Sequence, residues 1–351
     1  MTKTVTNVIF VTVVINVTDV IFLAYPLRQV LSRANLMIFW GNLLMRIVAL
    51  CAGQGSQQPG MGKSLFDEYG AARAVYECAG DILGFDLAKI SFEGSAEEIT
   101  QTAICQPALF AVSLAAWEAA RDQLPAPEAV AGHSVGEYAA LYCAGAFSME
   151  DGFKLIGARA KVMETAARAV PGTMVAVAGM EPDAIKEVCA KHGDAWAVNF
   201  NLPSQTVISG KVDACLAAAE EMNSLGAKTT RLNVDSAFHT PLMQPAADRF
   251  RDLIKGISYN GLRCDFYSNT TGGLLEVSDY TDYFVNHMLG PVRFAEEMAA
   301  LAAAGIDTCI EFGAGKTAST LAKKNNRAFA TFNIECAKTL EKAAGSLTAA
   351  V

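Results

Sequence analysis

From Met45 onward, short apolar runs rich in β-branched residues alternate with longer runs whose apolar positions recur at helical spacing. Arg46–Cys51 reads as a buried strand, Glu128–Ala131 as a short strand entering a Gly-Ser turn, and Thr308–Phe312 as a late strand ending at Gly313. Between them lie helical patterns over Gln106–Gln123 and Val292–Ala304, and a small-residue helix over Val135–Cys143 begins directly after the turn. Strands and helices in alternation predict an α/β architecture.

One stretch has a different order. Thr173–Ala178 reads as a strand and Pro182–Lys191 as a helix. Ala195–Phe200 and Gln205–Ser209 are two strands on either side of Asn201-Leu202-Pro203-Ser204. Val212–Leu225 is a helix and Lys228–Val234 a closing strand. The order β-α-β-β-α-β is that of a small ferredoxin-like unit, and Pro171-Gly172 marks its entry. The expected organisation is therefore a main body of residues 45–168 and 236–351, with a subdomain of residues 169–235 inserted.

Residues 1–44 do not share this pattern. Val8–Ile15 is apolar, but Asn7, Asn16 and Asp19 interrupt the run. A membrane span needs about 20 predominantly apolar residues. A signal peptide fits poorly, because Lys3 is the sole early positive charge and no small-residue cleavage site follows. The break points to Met45 as the true start, with residues 1–44 a mis-assigned or dispensable extension. A membrane anchor or an export signal are the competing readings.

Composition narrows the class. Hydrophobic residues make up 52% of the 351 and charged residues 18%, which excludes a disordered chain. A net charge of −8 and a pI near 5.1 argue against a general nucleic-acid binder. Nine scattered cysteines form no C-x-x-C pair, which fits a reducing, cytoplasmic compartment. The four histidines form no H-E-x-x-H or His/Cys cluster, so no metal site is expected.

The chemistry concentrates in Gly132-His133-Ser134-Val135-Gly136, a G-x-S-x-G pattern. A sharp strand-to-helix turn would project the Ser134 hydroxyl, and the following helix would present free N–H groups to an oxyanion. A simple helix cap at Ser134 is the competing reading. A serine nucleophile needs a base. His133 adjoins Ser134 and should point elsewhere, and His192 reads as a helix-end cap. His239 lies in a loop just after the inserted unit rejoins the body, and His287 is the next candidate. Ser148 and Asp151 form a capping pattern that puts Arg159 on the helix that follows. On sequence alone a solvent-facing arginine is the favoured reading there. Gly53-Gln54-Gly55-Ser56-Gln57 is a glycine-rich turn that could bring a second N–H donor to the site. Gly313-Ala314-Gly315-Lys316-Thr317 ends like a phosphate loop, but Ile310 stands where its first glycine belongs, so a nucleotide site is rejected.

Taken together, these motifs resemble the malonyl-CoA:acyl carrier protein transacylase family, acyltransferases of fatty-acid and polyketide synthesis. The resemblance spans Met45 to about Leu340. It is carried by GQGSQ at Gly53–Gln57, QPAL at Gln106–Leu109, GHSVGEYAAL at Gly132–Leu141, CAGAF at Cys143–Phe147, VNFN at Val198–Asn201, AFHTPLM at Ala237–Met243, PVRF at Pro291–Phe294 and EFGAGK at Glu311–Lys316. It implies a hydrolase-like core with a parallel sheet and a ferredoxin-like subdomain. It also implies ping-pong transfer from malonyl-CoA to the thiol of holo acyl carrier protein, without a cofactor. Ser134 would be the nucleophile and His239 the base, Arg159 would hold the malonyl carboxylate, and the N–H groups of Gln54 and Val135 would form the oxyanion hole. Phe238 resembles the ring that disfavours an α-methyl group. His287 occupies the position whose backbone carbonyl orients the base, where relatives carry Gln or Asn, and Ala52 replaces a usual Pro. An acidic carrier meeting an acidic chain calls for a local basic dock, for which Lys323, Lys324 and Arg327 are the candidates. A free-standing acyltransferase for a polyketide synthase, a serine thioesterase or esterase, and a non-catalytic binding module are the alternatives.

Overall fold

The computed structural model describes residues 45–348, and the expectations for residues 1–44 lie outside them. Two sheets organise the chain. The larger has six strands in the order β10-β9-β1-β2-β7-β8. These are β1 (Ile47–Cys51), β2 (Ala129–Gly132), β7 (Asp265–Ser268), β8 (Gly273–Leu274), β9 (Thr308–Phe312) and β10 (Ala330–Ile334). The first five of that order run parallel, and β8 is an antiparallel edge.

Helices cover this sheet and leave its central strands without exposed positions. Every residue of β1, β2 and β9 is buried, which is why they read as continuous apolar runs rather than alternating ones. On one face α12 (Phe294–Ala303) and α13 (Thr317–Asn325) bury Phe294, Met298, Leu301 and Phe329 against Val48, Leu50 and Ala131. Each such large side chain contributes about 1.5–3 kcal/mol on full burial. Helix α5 (Thr102–Ala120) is long and apolar enough to cross a membrane, yet every residue from Cys105 to Trp117 is buried inside the protein. It is a core helix, apolar on all sides because it is packed on all sides.

The smaller sheet contains β3 (Gly172–Ala178), β4 (Ala195–Leu202), β5 (Gln205–Lys211) and β6 (Lys228–Arg231), all antiparallel, in the order β4-β5-β3-β6. Helices α8 (Pro182–His192) and α9 (Val212–Ser224) close over Val175, Val177 and Ile208 on one face. This is the β-α-β-β-α-β arrangement expected from the sequence. Its last strand stops at Arg231 rather than Val234. Leu232 N still donates to Met174 O, but Val234 N turns back to Leu232 O. The larger sheet's helices differ from expectation only at their ends, α5 starting four residues earlier, at Thr102.

The register places the site. Cys51 lies beside Gly132, and Phe312 beside Cys51. Chain segments leaving β1, β2, β7 and β9 therefore emerge at one edge, outside the carboxyl ends of parallel strands, where α/β sheets bind ligands. Strand β4 reaches the same region: Phe200 N donates to Val292 O and Val292 N to Val198 O, both at 2.8 Å.

Candidate active site

Strand β2 ends at Gly132, and helix α6 (Gly136–Cys143) begins four residues later. The connection is tight enough to force Ser134 to φ +52°, a left-handed conformation uncommon for a residue with a side chain. The flanking glycines have a steric reason. A Cβ on Gly136 would sit 2.3 Å from Cys51 O, and one on Gly132 would sit 2.3 Å from the carbonyl carbon of Gly136. The strained serine between them is half-buried and reachable, as a nucleophile on a strand-to-helix turn must be.

His239 also has positive φ, +61°, in the buried loop Ala237–Thr240. Its Nε2 lies 2.7 Å from Ser134 Oγ, and its Nδ1 lies 3.0 Å from Gly290 O. A carbonyl can only accept, so Nδ1 carries the proton. Nε2 is then an acceptor, and the serine hydroxyl donates to it. Burial, then His287, then Arg159 hold the His239 imidazole well below its usual range. The ring is therefore neutral and ready to take a proton near neutral pH.

Arg159 sits on α7 (Met149–Ala169), whose first turn is capped by Ser148 accepting from Asp151 N at 3.1 Å. The expectation of a solvent-facing arginine is overturned: only 1% of the residue is exposed. Gly152, Ile156, Arg159 and Met163 fall on one buried stripe of the helix. Nη1 donates to the side-chain oxygen of buried Gln106, whose own Nε2 reaches Met163 Sδ at 3.4 Å. The guanidinium lies 5.2 Å from the centre of the Tyr138 ring. Nε and Nη2 are buried with no partner. Burial lowers the affinity of this group for its proton, but its ordinary value is so high that it remains a cation.

The turn after β1 presses on the serine loop. A Cβ on Gly53 would meet His133 O at 2.5 Å, so Gln54 follows directly from that contact. Ser56 Oγ donates to Gly53 O at 2.6 Å and Gln57 Oε1 accepts from Gly55 N at 2.7 Å, which stiffens the loop. Val135 is the N-cap of α6. The Ser134 N–H is already committed, donating to Asn269 Oδ1 at 2.7 Å.

His133 points away from the nucleophile, as expected, its Nε2 2.8 Å from Asn201 Oδ1. His192 ends α8 and pairs with Glu221 at 2.7 Å. His287 requires a correction: the carbonyl that orients His239 belongs to Gly290. The fully buried His287 ring instead stands 5.7 Å from the His239 ring, with Nε2 3.0 Å from Glu137 Oε2. Phe238 is buried beside the base. Lys323, Lys324 and Arg327 are all exposed, but Lys323 Nζ is bound to Arg327 O and Phe329 O at the end of α13. At the Gly313–Thr317 loop, the amides of Ala318 and Ser319 donate to the buried Glu311 carboxylate, which fills the place a phosphate would take.

Sequence reasoning missed the group behind the serine. Asn269, Glu137, Tyr283 and Glu297 are all buried. Glu137 accepts from Asn269 N and from Tyr283 OH, while Glu297 Oε2 accepts from Asn269 Nδ2 at 2.8 Å. Burial and the neighbouring Glu137 push Glu297 well above the usual carboxylate range. Among the described residues, no group of three His, Cys, Asp or Glu side chains is placed to hold a metal ion.

A serine on a strained turn, a neutral histidine held by a carbonyl and a buried arginine with open donors form an acyl-transfer site. The model of the acyl transferase domain matches residues 48–335, and the chain belongs to that family. More narrowly, it is similar to malonyl CoA-acyl carrier protein transacylases. That of Bacillus subtilis is 36% identical, the alignment covering 87% of this chain and 98% of the relative. The crystal structure of MCAT from Streptococcus pneumoniae superposes with a TM-score of 0.82 at 33% identity, over 86% of this chain and all (100%) of the other. A chain from a complex of a type II PKS acyl-carrier protein with its malonyl-transacylase gives a TM-score of 0.81 at 29% identity, over 86% of this chain and 99% of its own.

Proposed function

We propose that this chain transfers a malonyl group from malonyl-CoA to the phosphopantetheine thiol of holo acyl carrier protein through a malonyl-Ser134 intermediate, in the cytoplasm and in fatty-acid synthesis. Residues 45–168 and 236–351 form the catalytic body, with 169–235 as a smaller lobe. The observation that carries the substrate class is Arg159: a buried cation with two unpartnered N–H donors. Its fork matches a carboxylate, which a malonyl group has and an acetyl group lacks.

Each step balances. Ser134 Oγ attacks the thioester carbonyl carbon while its proton passes to His239 Nε2. The oxyanion of the tetrahedral intermediate is met by the N–H groups of Val135 and Gln54. The C–S bond breaks, and CoA leaves as a thiol with the proton from His239. The carrier thiol then gives its proton to His239 and attacks the malonyl ester carbon; the C–O bond to Ser134 breaks, and His239 Nε2 returns the proton to Ser134 Oγ. His239 is oriented by a carbonyl, not by the acidic residue that serine esterases place there. Arg159 and the full set of motifs favour transfer over hydrolysis. Phe238 narrows the acyl pocket against α-branched groups.

Intact-mass measurement after mixing with malonyl-CoA tests the proposal. A malonyl adduct that is lost in Ser134→Ala and discharged by holo carrier protein is the expected result. Discharge to water faster than to the carrier thiol would make the chain a thioesterase.

A further inference from the structure

We infer that Asn269 is a positioning residue for the nucleophile: its carboxamide clamps both ends of the Ser134 turn and fixes which amides remain for the oxyanion. This rests on the acyl-transfer reading of Ser134. Asn269 follows β7, which pairs in parallel with β2, so the two loops leave the sheet side by side. Its side chain is completely buried, and both of its N–H donors are engaged. Oδ1 accepts from Ser134 N at 2.7 Å, and Nδ2 donates to Gly132 O at 2.7 Å and to Glu297 Oε2 at 2.8 Å. Its own backbone N–H donates to Glu137.

The chemistry of this arrangement is selective for an amide. One face must accept, from Ser134 N, and the other must donate twice, to a carbonyl and to a carboxyl oxygen. An ionised aspartate can accept but not donate, and would add a negative charge beside Glu137 and Glu297. A leucine of the same size can do neither. The clamp closes on the two residues that flank His133, where the chain is held at Ser134 φ +52°. It also removes Ser134 N–H from the oxyanion hole and leaves the N–H groups of Val135 and Gln54 to supply donors there. A protonated Glu297 suits its place, because a neutral carboxyl accepts from Nδ2 at 2.8 Å without setting a full charge beside Glu137.

The test measures acylation of Ser134 in wild type, Asn269→Leu and Asn269→Asp, with malonyl-CoA and with p-nitrophenyl acetate. The ester reads the turn even if malonyl-CoA is not the substrate. Loss of malonyl labelling in wild type with retained Ser134-dependent ester acylation would sink the functional proposal and leave this one standing. Asn269→Leu should lower kcat about 10²-fold, the cost of a misplaced reacting atom, with KM for malonyl-CoA within about threefold. Asn269→Asp should be slow at high pH and recover roughly tenfold as its carboxyl gains a proton and can again donate, a rise that wild type does not show. A leucine variant within about threefold of wild-type kcat would overturn the inference. So would an aspartate variant with a wild-type-shaped pH profile, which decides the matter even if the leucine variant does not fold.

Discussion

Removing a guanidinium from water costs several kcal/mol unless partners replace its hydration, and Arg159 has replaced only part of it. Gln106 satisfies Nη1 and the Tyr138 face lies alongside, but Nε and Nη2 wait. A bound carboxylate would complete the set. Hydrogen bonds to charged groups contribute about 1.5–3 kcal/mol, so Arg159→Ala should lower kcat/KM for malonyl-CoA about 10²-fold while labelling by acetyl-CoA is unchanged or rises. Equal losses for both thioesters, in single-turnover labelling, would reduce Arg159 to a packing role. A second residue-scale expectation concerns His287. His287 comes next after burial among the influences that hold His239 low. The acid limb of kcat/KM reports the free base. His287→Gln removes that influence, so the His239 proton affinity should rise and the acid limb should move to higher pH. An unmoved limb would show that His287 does not act on the base.

At the level of elements, much of this arrangement is legible in the chain. The apolar runs of β1, β2 and β9 declare buried parallel strands, and G-x-S-x-G declares the turn, because close backbone approach leaves no room for other residues. Ser148 and Asp151 announce the start of α7. Ser148→Ala should cost about 1 kcal/mol in denaturant unfolding, as lost caps do, with acylation kinetics nearly preserved; unchanged stability would mean that water caps the helix equally well. The burial of Arg159 was recoverable too, since it shares a stripe with Gly152, Ile156 and Met163. Charge outweighed periodicity in that reading. Asn269 was not recoverable. Its partners lie 28 to 137 positions away in sequence, and no local pattern marks an asparagine that bridges a β7 loop to a β2 loop. The carbonyl of Gly290 was missed for a related reason: any backbone offers one, and only the fold selects which faces His239.

Across the whole molecule, the site makes stability depend on pH from two directions. His239 is held below its ordinary 6.5. As pH falls through that value the unfolded chain takes up a proton that the native site refuses, so native stability declines on the acid side. Glu297 acts oppositely. Its native form keeps a proton above the ordinary carboxylate value of 4.5. Its contribution is fully present below that value and declines as pH rises towards its native one, because the unfolded chain ionises first. Glu297→Gln removes this ionisation and keeps an acceptor for Asn269 Nδ2. Comparing unfolding midpoints of this variant and wild type removes the titrations the two chains share outside the Glu137–Glu297 pair. The variant should gain on wild type as pH rises above the ordinary carboxylate value, with its relative stability lowest at the acid end. A gap independent of pH would show that Glu297 is ionised in the native protein.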